Sequence, residues 1–413
     1  MKCAVITPIG PGHEELYQSC LQSINDAWQF SKGPFNQIEI MALWDLQATH
    51  GRSKKRNEGI QEAMRLHCEW IFFIDADDLM TKFSFEAFSK YFENYDGVWG
   101  NICEAPFGQL TKAKLRDEQI TKMDQFEELL RFEPYSTIQM GHFIKSHIAN
   151  EIKFDEEMDI GEDFRYYLRV WQSFKCVKVP EIFFINQRGA HSTGDRSGAG
   201  KKWSIAVENE ILSKIAEHQL IVDVFYKNNS TKFNISNPFD KVQAVLCKGA
   251  YYLIEELELL SKFIGLNKVI VEVGSGIGNQ ALFYLKNLEA EKIFAFESDQ
   301  QLINILEINA LINAAEDKVI ISKNLTIDQF VSKLLSLDKL DFLQINYEEI
   351  SLDIFIKFNE IINTHKPIIF VKVNQNKLLE FNTLIGELNY QILNTISYTD
   401  GTLNYLLTEM KTP

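Results

Sequence analysis

The sequence lacks long apolar runs and a leader-like N-terminus. No stretch approaches the roughly 18 consecutive apolar residues that a membrane-spanning helix needs. The first residues, MKCAVITPIGPGHEE, predict a strand and a Pro/Gly turn rather than a signal peptide. We therefore expect a cytoplasmic protein that makes at most peripheral contact with a membrane, at its inner face.

Basic residues and paired cysteines are also scarce. The 42 Lys and Arg residues are outnumbered by 57 Asp and Glu residues, and the net charge of −15 excludes a general nucleic-acid binder. The six cysteines form no C-x-x-C pair, which is typical of reduced cytosolic thiols rather than of a disulfide framework or a zinc site. The length of 413 residues predicts two domains.

Strands alternate with helices in the first half of the chain. Cys3–Thr7, Ile38–Leu43 and Trp70–Ile74 are short apolar segments, and amphipathic helices are predicted between them. This alternation predicts a parallel, Rossmann-like α/β sheet.

Three carboxylates, Asp75, Asp77 and Asp78, follow the apolar run that starts at Trp70. Open α/β sheets place ligands at the carboxyl ends of their strands, and hard oxygen ligands suit Mg²⁺ or Mn²⁺. The alternative is that Asp77 or Asp78 simply caps a helix.

Further polar residues are predicted near the same sheet edge. Asp45 ends the neighbouring strand, and Arg56 and Asn57 lie just upstream of the carboxylates. A cation site with adjacent Arg and Asn predicts a nucleotide diphosphate site. The basic segment 52–56 could equally be a solvated helix start.

A third set of polar residues lies near the end of the first half. Asp163 follows Gly161 and Glu162 at a predicted helix start, where it either caps the helix or serves as a general base. His191 lies in a Gly-rich loop with Arg188 and Arg196, and is a candidate ligand for a metal diphosphate.

Residues 1–225 resemble a family 2 glycosyltransferase with the GT-A fold. The resemblance rests on the order of the motifs: Thr7-Pro8, Asp45, Arg56-Asn57-x-Gly59, Phe73-Ile74-Asp75-Ala76-Asp77-Asp78, Phe154-Asp155-Glu156, Gly161-Glu162-Asp163 and a later His. It implies an inverting transferase that uses a nucleotide sugar, most often a UDP-sugar.

The resemblance also implies roles for individual residues. Asp77 and His191 would hold Mn²⁺ or Mg²⁺, Asp163 would be the catalytic base, and Arg188 and Arg196 would lie in a diphosphate loop. The residues implied in nucleotide-sugar binding are Thr7, Pro8, Asp45, Arg56, Asn57, Asp75, Asp77 and Asp78.

The second half begins after a polar segment, 226–238, that predicts a linker. Lys268–Val273 predicts a buried strand, followed by Gly274, Gly276 and Gly278 before a helix, and Glu297 ends the next strand. A glycine loop with an acid about 20 residues later suits a cofactor ribose. The alternative is that the glycines form a tight turn between strand and helix that binds no ligand.

Residues 239–413 resemble the FkbM family of O-methyltransferases, with a class I methyltransferase sheet. The resemblance rests on VIVEVGSGIGN, AFESD and LEINALIN. It implies S-adenosylmethionine as cofactor, with contacts from Glu272, Gly274, Gly276, Asn279 and Glu297. The family's I-D-x-E-G-x-E motif is replaced here by Ile345-Asn346-Tyr347-Glu348-Glu349-Ile350-Ser351.

Three functional hypotheses follow. The first is a glycosyltransferase of surface polysaccharide biosynthesis that acts on a glycan or lipid-linked acceptor, fused to a domain that O-methylates the glycan. In the second, the C-terminal domain is a non-catalytic scaffold that holds an acceptor or forms a homodimer. In the third, the N-terminal domain binds or transfers nucleotides without transferring sugar.

Overall fold

The computed structural model describes residues 1–158, 160–189, 199–323, 325–346, 352–398 and 402–410. The chain divides into two compact units, Met1–His218 and Gln219–Pro413. Within these ranges no helix combines the length and the apolar character needed to cross a membrane.

The first unit contains two sheets flanked by helices. Its strands are β1 Lys2–Ile9, β2 Gln37–Trp44, β3 Trp70–Phe73, β4 Leu79–Met80, β5 Gly97–Trp99, β6 Cys103–Pro106, β7 Lys114–Leu115, β8 His142–Lys145, β9 Cys176–Lys178 and β10 Phe184–Arg188. Its helices are α1 Glu14–Phe30, α2 Gly51–Arg65, α3 Ser84–Phe88, α4 Phe126–Arg131, α5 Pro134–Thr137, α6 Ser146–Ile152, α7 Glu162–Ser173 and α8 Ala199–Glu217.

The larger sheet of this unit has the strand order β2-β1-β3-β8-β5-β9. Strands β2, β1 and β3 are parallel, and β8 runs antiparallel to β3 and β5. Every residue of β3 is buried, as its apolar sequence predicts for a central strand. The carboxyl ends of β1, β2 and β3 therefore meet at one edge of the sheet, which confirms the predicted α/β class.

The second unit contains a two-stranded sheet, formed by its first two strands, and a seven-stranded sheet. Its strands are β11 Leu220–Tyr226, β12 Asn229–Ile235, β13 Val269–Val273, β14 Lys292–Phe296, β15 Val319–Ser322, β16 Phe342–Ile345, β17 Ile368–Asn374, β18 Tyr390–Ser397 and β19 Thr402–Glu409. Its helices are α9 Lys241–Cys247, α10 Ile254–Ile264, α11 Asn279–Asn287, α12 Gln300–Ile312, α13 Ile327–Leu334, α14 Leu352–Lys357, α15 Asn359–His365 and α16 Leu378–Glu387.

The strand order of this sheet is β15-β14-β13-β16-β17-β19-β18. The five strands β15, β14, β13, β16 and β17 are parallel, whereas β19 runs antiparallel to β17 and to β18. Five parallel strands followed by an antiparallel pair form the predicted methyltransferase-like Rossmann fold.

The prediction of a linker over 226–238 was wrong. Asn229–Ile235 pairs with Leu220–Tyr226 along the whole length of an antiparallel hairpin. Its backbone is also held by α12, since Asn309 Oδ1 accepts from Asn234 N at 2.7 Å and Asn313 Oδ1 accepts from Lys232 N at 3.0 Å. Polar composition was a misleading signal here because one face of the hairpin packs while the other is solvated.

Candidate functional site

The strand ends of the first unit border a cleft of about 500 Å³. Its lining comes from the end of β1, from the loops after β1, β2 and β3, from the start of α2 and from the segment before α7. The lining residues are Pro8, Ile9, Gly10, Pro11, His13, Asp45, Ala48, Gly51, Arg52, Lys55, Asp75, Ala76, Asp77 and Ile160. The cleft thus combines two carboxylates at the end of β3 with two basic side chains of α2.

The three carboxylates after β3 have different surroundings. Asp75 Oδ1 accepts a hydrogen bond from Arg56 Nη2 at 2.8 Å. Asp78 is buried and accepts from Asn186 Nδ2 at 2.9 Å and Gln187 N at 3.3 Å. Burial, together with Asp77 and Asp75, raises the pKa of Asp78 well above its usual value. Asp78 therefore binds β10, and of the three carboxylates after β3 it is Asp75 and Asp77 that line the cleft.

Within the described ranges, no group of three or more His, Cys, Asp or Glu residues is arranged to hold a metal ion. The predicted ligand His191 lies outside the described residues, as does Arg196. Asp77 remains as the described candidate ligand, and any ion there would need donor atoms from a bound ligand to complete its coordination.

Arg56 connects the end of β3 with the start of α7. Its guanidinium is buried, donates to Asp75, and lies 3.2 Å from Glu162 Oε1 through Nη1. Its guanidinium carbon lies 5.2 Å from the centre of the Phe154 ring. A charge this deeply buried requires such partners. The predicted nucleotide contact of Arg56 stays a prediction.

Asn57 fixes the segment before α7. Its Nδ2 donates to Phe154 O at 2.9 Å and to Glu156 Oε1 at 2.8 Å, and its Oδ1 accepts from Phe154 N at 2.9 Å. Gly59 lies two residues further along α2. A Cβ there would lie 2.7 Å from Ile6 Cγ2, so only glycine allows the helix to approach β1 this closely.

Glu162 was missed as a site residue by the sequence prediction. It is fully buried and pairs with Arg52, whose Nε lies 2.5 Å from Oε1 and whose Nη2 lies 3.1 Å from Oε2. Burial and then Asp163 raise the pKa of Glu162, opposed by Arg52 and Arg56. Arg52 and Lys55 are the Lys and Arg side chains that line the cleft, and they lie three residues apart on α2. This helical spacing was the signal in the sequence that both side chains lie on one face of the helix.

The carboxylate of Asp45 accepts hydrogen bonds from the residues that follow it in the chain. The carboxylate accepts from Thr49 N and Oγ1, from His50 N, and from Gly51 N at 2.8 Å, which is at the start of α2. Burial raises the pKa of Asp45, but these backbone donors outweigh it and lower the pKa to about 2. Its predicted nucleotide contact stays a prediction, as do those of Pro8, which lines the cleft, and Thr7, which is buried.

Asp163 lines a second cavity, of about 540 Å³. Its Oδ1 accepts from Trp203 Nε1 at 3.1 Å and from Phe164 N at 2.8 Å, so the carboxylate is held by α8 and by its own helix. Arg188, predicted in the diphosphate loop, also lines this cavity rather than the cleft of Asp77. The remaining lining residues are Arg116, Tyr135, Ile138, Gln139, Asn186, Gly189, Gly200, Trp203 and Ser204.

In the second unit, the glycine loop lies between β13 and α11. Gly274, Gly276 and Gly278 have φ values of 82°, 52° and 91°, which favour glycine. A Cβ at Gly278 would lie 2.5 Å from Leu306 Cδ1, whereas one at Gly276 would meet nothing within 4 Å. Gly278 therefore serves packing, and Gly276 leaves room for a ligand to approach the backbone.

The structure brings the predicted cofactor residues together around this loop. Glu297 Oε2 accepts from Gly276 N at 2.9 Å, and its Oε1 accepts from Ser298 N at 2.7 Å. Asn279 is buried and pairs through its amide with the backbone of Tyr252, so its side chain holds the segment before α10.

Glu272 is a fully buried acid beneath the glycine loop. Burial raises its pKa to about 8, and Glu297 contributes in the same direction. Its Oε1 accepts from Asn346 Nδ2 at 3.2 Å, and the same amide donates to Gly274 O at 3.3 Å. Asn346 thus supplies an N–H donor to Glu272. An aspartate at this position would place a second carboxylate beside Glu272 instead. Residues 347–351 of the altered motif lie outside the described residues.

No family model matches the chain. A ribosomal protein L11 methyltransferase from Carboxydothermus hydrogenoformans is 30% identical over 139 residues, covering 32% of this chain and 43% of that protein. This chain thus spans less than half the length of that curated relative. Its similarity places a methyltransferase among the relatives of the chain.

Solved structures are similar at a lower level. The S. aureus TarS fragment 1–349 in complex with UDP-GlcNAc has a TM-score of 0.39 at 15% identity, over 52% of this chain and 66% of that one. The ribosomal protein L11 methylase of Lactobacillus delbrueckii subsp. bulgaricus has a TM-score of 0.31 at 16% identity, over 38% and 78%. At these values neither similarity assigns a function to this chain.

The buried acid Glu272 predicts a pH-dependent stability of the second unit. Its pKa of about 8 in the folded protein exceeds the ordinary value of 4.5. The folded state therefore holds a proton that the unfolded state has lost, and stability falls as the pH rises from about 4.5 to about 8. The free energy of unfolding, measured by urea titration, should fall between pH 4.5 and pH 8 more steeply for the wild type than for Glu272→Gln. The exposed Glu291→Gln is the matched control, and parallel pH profiles for wild type and Glu272→Gln would contradict the assignment.

Proposed function

We propose that the first unit is an inverting glycosyltransferase that moves a sugar from a nucleotide sugar, a UDP-sugar, to a hydroxyl of a glycan or lipid-linked acceptor in surface polysaccharide biosynthesis. The observation that carries this proposal is the cleft at the ends of β1, β2 and β3. It combines Asp75 and Asp77 with Arg52 and Lys55. Carboxylates for a cation and basic groups for phosphates are the donor set that a nucleoside diphosphate requires.

In this proposal the donor lies in the cleft. Asp77 would hold Mn²⁺ or Mg²⁺, which when bound offsets charge on the leaving diphosphate. Arg52 contributes a guanidinium that is 52% exposed while Glu162 keeps it oriented. Asp75 would contact the nucleoside, with its carboxylate oriented by Arg56.

Asp163 would serve the acceptor in the second cavity. Its carboxylate takes the proton of the acceptor hydroxyl, the hydroxyl oxygen bonds to the anomeric carbon, and the bond from that carbon to the diphosphate oxygen breaks. The indole of Trp203 and the helix backbone hold Asp163 in one orientation before the acceptor binds.

For the second unit we propose an S-adenosylmethionine site at the glycine loop, and O-methylation of the glycan as its activity. The open space at Gly276 and the Glu297 carboxylate beside it fit a nucleoside ribose. Asn346 favours the alternative of a non-catalytic scaffold, because its amide is already bonded to Glu272 and Gly274.

The donor site predicts a metal-dependent loss on changing Asp77. In Asp77→Asn, UDP should bind at least tenfold more weakly than to wild type in calorimetric titrations with Mn²⁺, because one charged ligand is gone. Without metal the two proteins should bind UDP alike. Asp26→Asn, on the exposed side of α1, is the matched control. Equal UDP affinity of Asp77→Asn and wild type in Mn²⁺ would contradict the role of Asp77.

The base assignment predicts a defect in transfer without a defect in donor binding. Asp163→Asn keeps an acceptor for the Trp203 indole but cannot take a proton, so the rate of sugar transfer should fall by about 10²–10⁴. The affinity for UDP should stay within twofold. A variant that retains more than a tenth of wild-type transfer would exclude Asp163 as the base.

The cofactor site predicts binding of S-adenosylhomocysteine to the full chain with micromolar affinity. Glu297→Ala should weaken this binding about tenfold or more, as expected for a lost charge-assisted hydrogen bond of roughly 1.5–3 kcal/mol. Glu291→Ala should leave it unchanged. A folded wild-type chain that does not bind the ligand would support the scaffold alternative instead.

A further inference from the structure

The cavity of Asp163 is bordered by a cluster of basic side chains around one tyrosine. The guanidinium carbon of Arg116 lies 3.8 Å from the centre of the Tyr135 ring, and that of Arg188 lies 5.0 Å from it. Glu104 Oε2 is shared by both, at 3.3 Å from Arg116 Nε and 2.5 Å from Arg188 Nε. Two cations therefore share one carboxylate at this wall of the cavity.

A buried lysine bears on the charge of Arg116. Lys178 is buried and donates to Thr137 O and to Gln119 Oε1. Burial and then Arg116 lower its pKa to about 7. Burial also lowers the pKa of Arg116 to about 10, and Arg188 acts in the same direction, opposed by Glu104. Asp78 is the other acid that bears on Arg116, but its own pKa is raised well above the usual range.

Arg116 and Arg188 differ in how many of their guanidinium N–H groups already donate hydrogen bonds within the described part of the chain. Arg116 is buried, and its Nη1 and Nη2 donate to Tyr135 O at 2.7 Å and to Gln139 Oε1 at 2.8 Å. Arg188 is 45% exposed, and beyond its Nε its guanidinium makes no hydrogen bond to the described part of the chain. A guanidinium has five N–H donors in a fork that matches phosphate and carboxylate.

We propose that this cavity binds an acceptor that carries an anionic group, a phosphate or a carboxylate, held by Arg188 beside the hydroxyl that Asp163 deprotonates. The proposal rests on the proposed function, and it moves Arg188 from the donor diphosphate to the acceptor. Arg116, which also lines the cavity, would add positive charge there while its Nη groups stay bonded to Tyr135 and Gln139. The donor cleft has its own basic residues, Arg52 and Lys55, so the cluster at Arg188 is not needed to neutralise the donor.

The test titrates glycerol 3-phosphate, glucuronate and neutral glycerol into the full chain by calorimetry, with and without saturating UDP and Mn²⁺. We expect at least one anion to bind while glycerol does not, and the anion that binds indicates phosphate or carboxylate. Arg188→Gln should weaken that binding tenfold or more, and Arg65→Gln, a 68% exposed arginine on α2, should leave it unchanged. Saturating UDP should not displace the anion.

Three results would overturn the inference. No anion binding, or anion binding that Arg188→Gln leaves unchanged, would remove the site. Displacement of the anion by UDP would return Arg188 to the donor diphosphate. The proposed function fails separately, if UDP and Mn²⁺ do not bind at all, because UDP binding is measured in the same titrations.

Discussion

The buried guanidinium of Arg56 is the interaction on which the first site depends. It lies between Asp75 at the end of β3 and Glu162 at the start of α7, and it packs on Phe154. Removing it would leave Glu162 with Arg52 alone and would take from Asp75 the buried charge that links the end of β3 to the start of α7. The positions of both cavities therefore depend on one side chain that contacts neither a metal nor, in our proposal, the sugar.

This arrangement gives physical meaning to the order of the sequence motifs. Arg56-Asn57 and Phe154-Asp155-Glu156 are nearly a hundred residues apart, yet Asn57 bonds both backbone groups of Phe154. Gly59 then allows α2 to lie against β1. These residues hold α7, and thereby Asp163, at a set distance from the strand ends where Asp77 lies. The motifs are mainly a scaffold for the few side chains that reach a ligand.

Much of the architecture could be predicted from the sequence because it follows from local patterns. The buried run at Trp70, the glycine loop at Gly274 and the terminal strands have short-range signatures that tertiary contacts reinforce. The partners of individual side chains could not be predicted in this way. Asp78 binding Asn186, Glu162 binding Arg52, and the hairpin at Asn229 held by Asn309 all join residues that are far apart in the chain. Residue type shows that a polar group needs a partner, but the fold decides which one.

Glu162 in the first unit and Glu272 in the second are buried acids that are stabilised in different ways, with consequences for their response to pH. In the first, Glu162 is countered by two guanidinium groups, and the backbone donors around Asp45 keep its pKa near 2. The Asp45 carboxylate therefore stays ionised across the neutral range. In the second, Glu272 receives a neutral amide from Asn346, and its pKa of about 8 brings its titration into that range. An aspartate at 346 would add a negative charge to a buried acid that is already costly to ionise. The neutral amide of Asn346 avoids that second charge and donates to Glu272 instead.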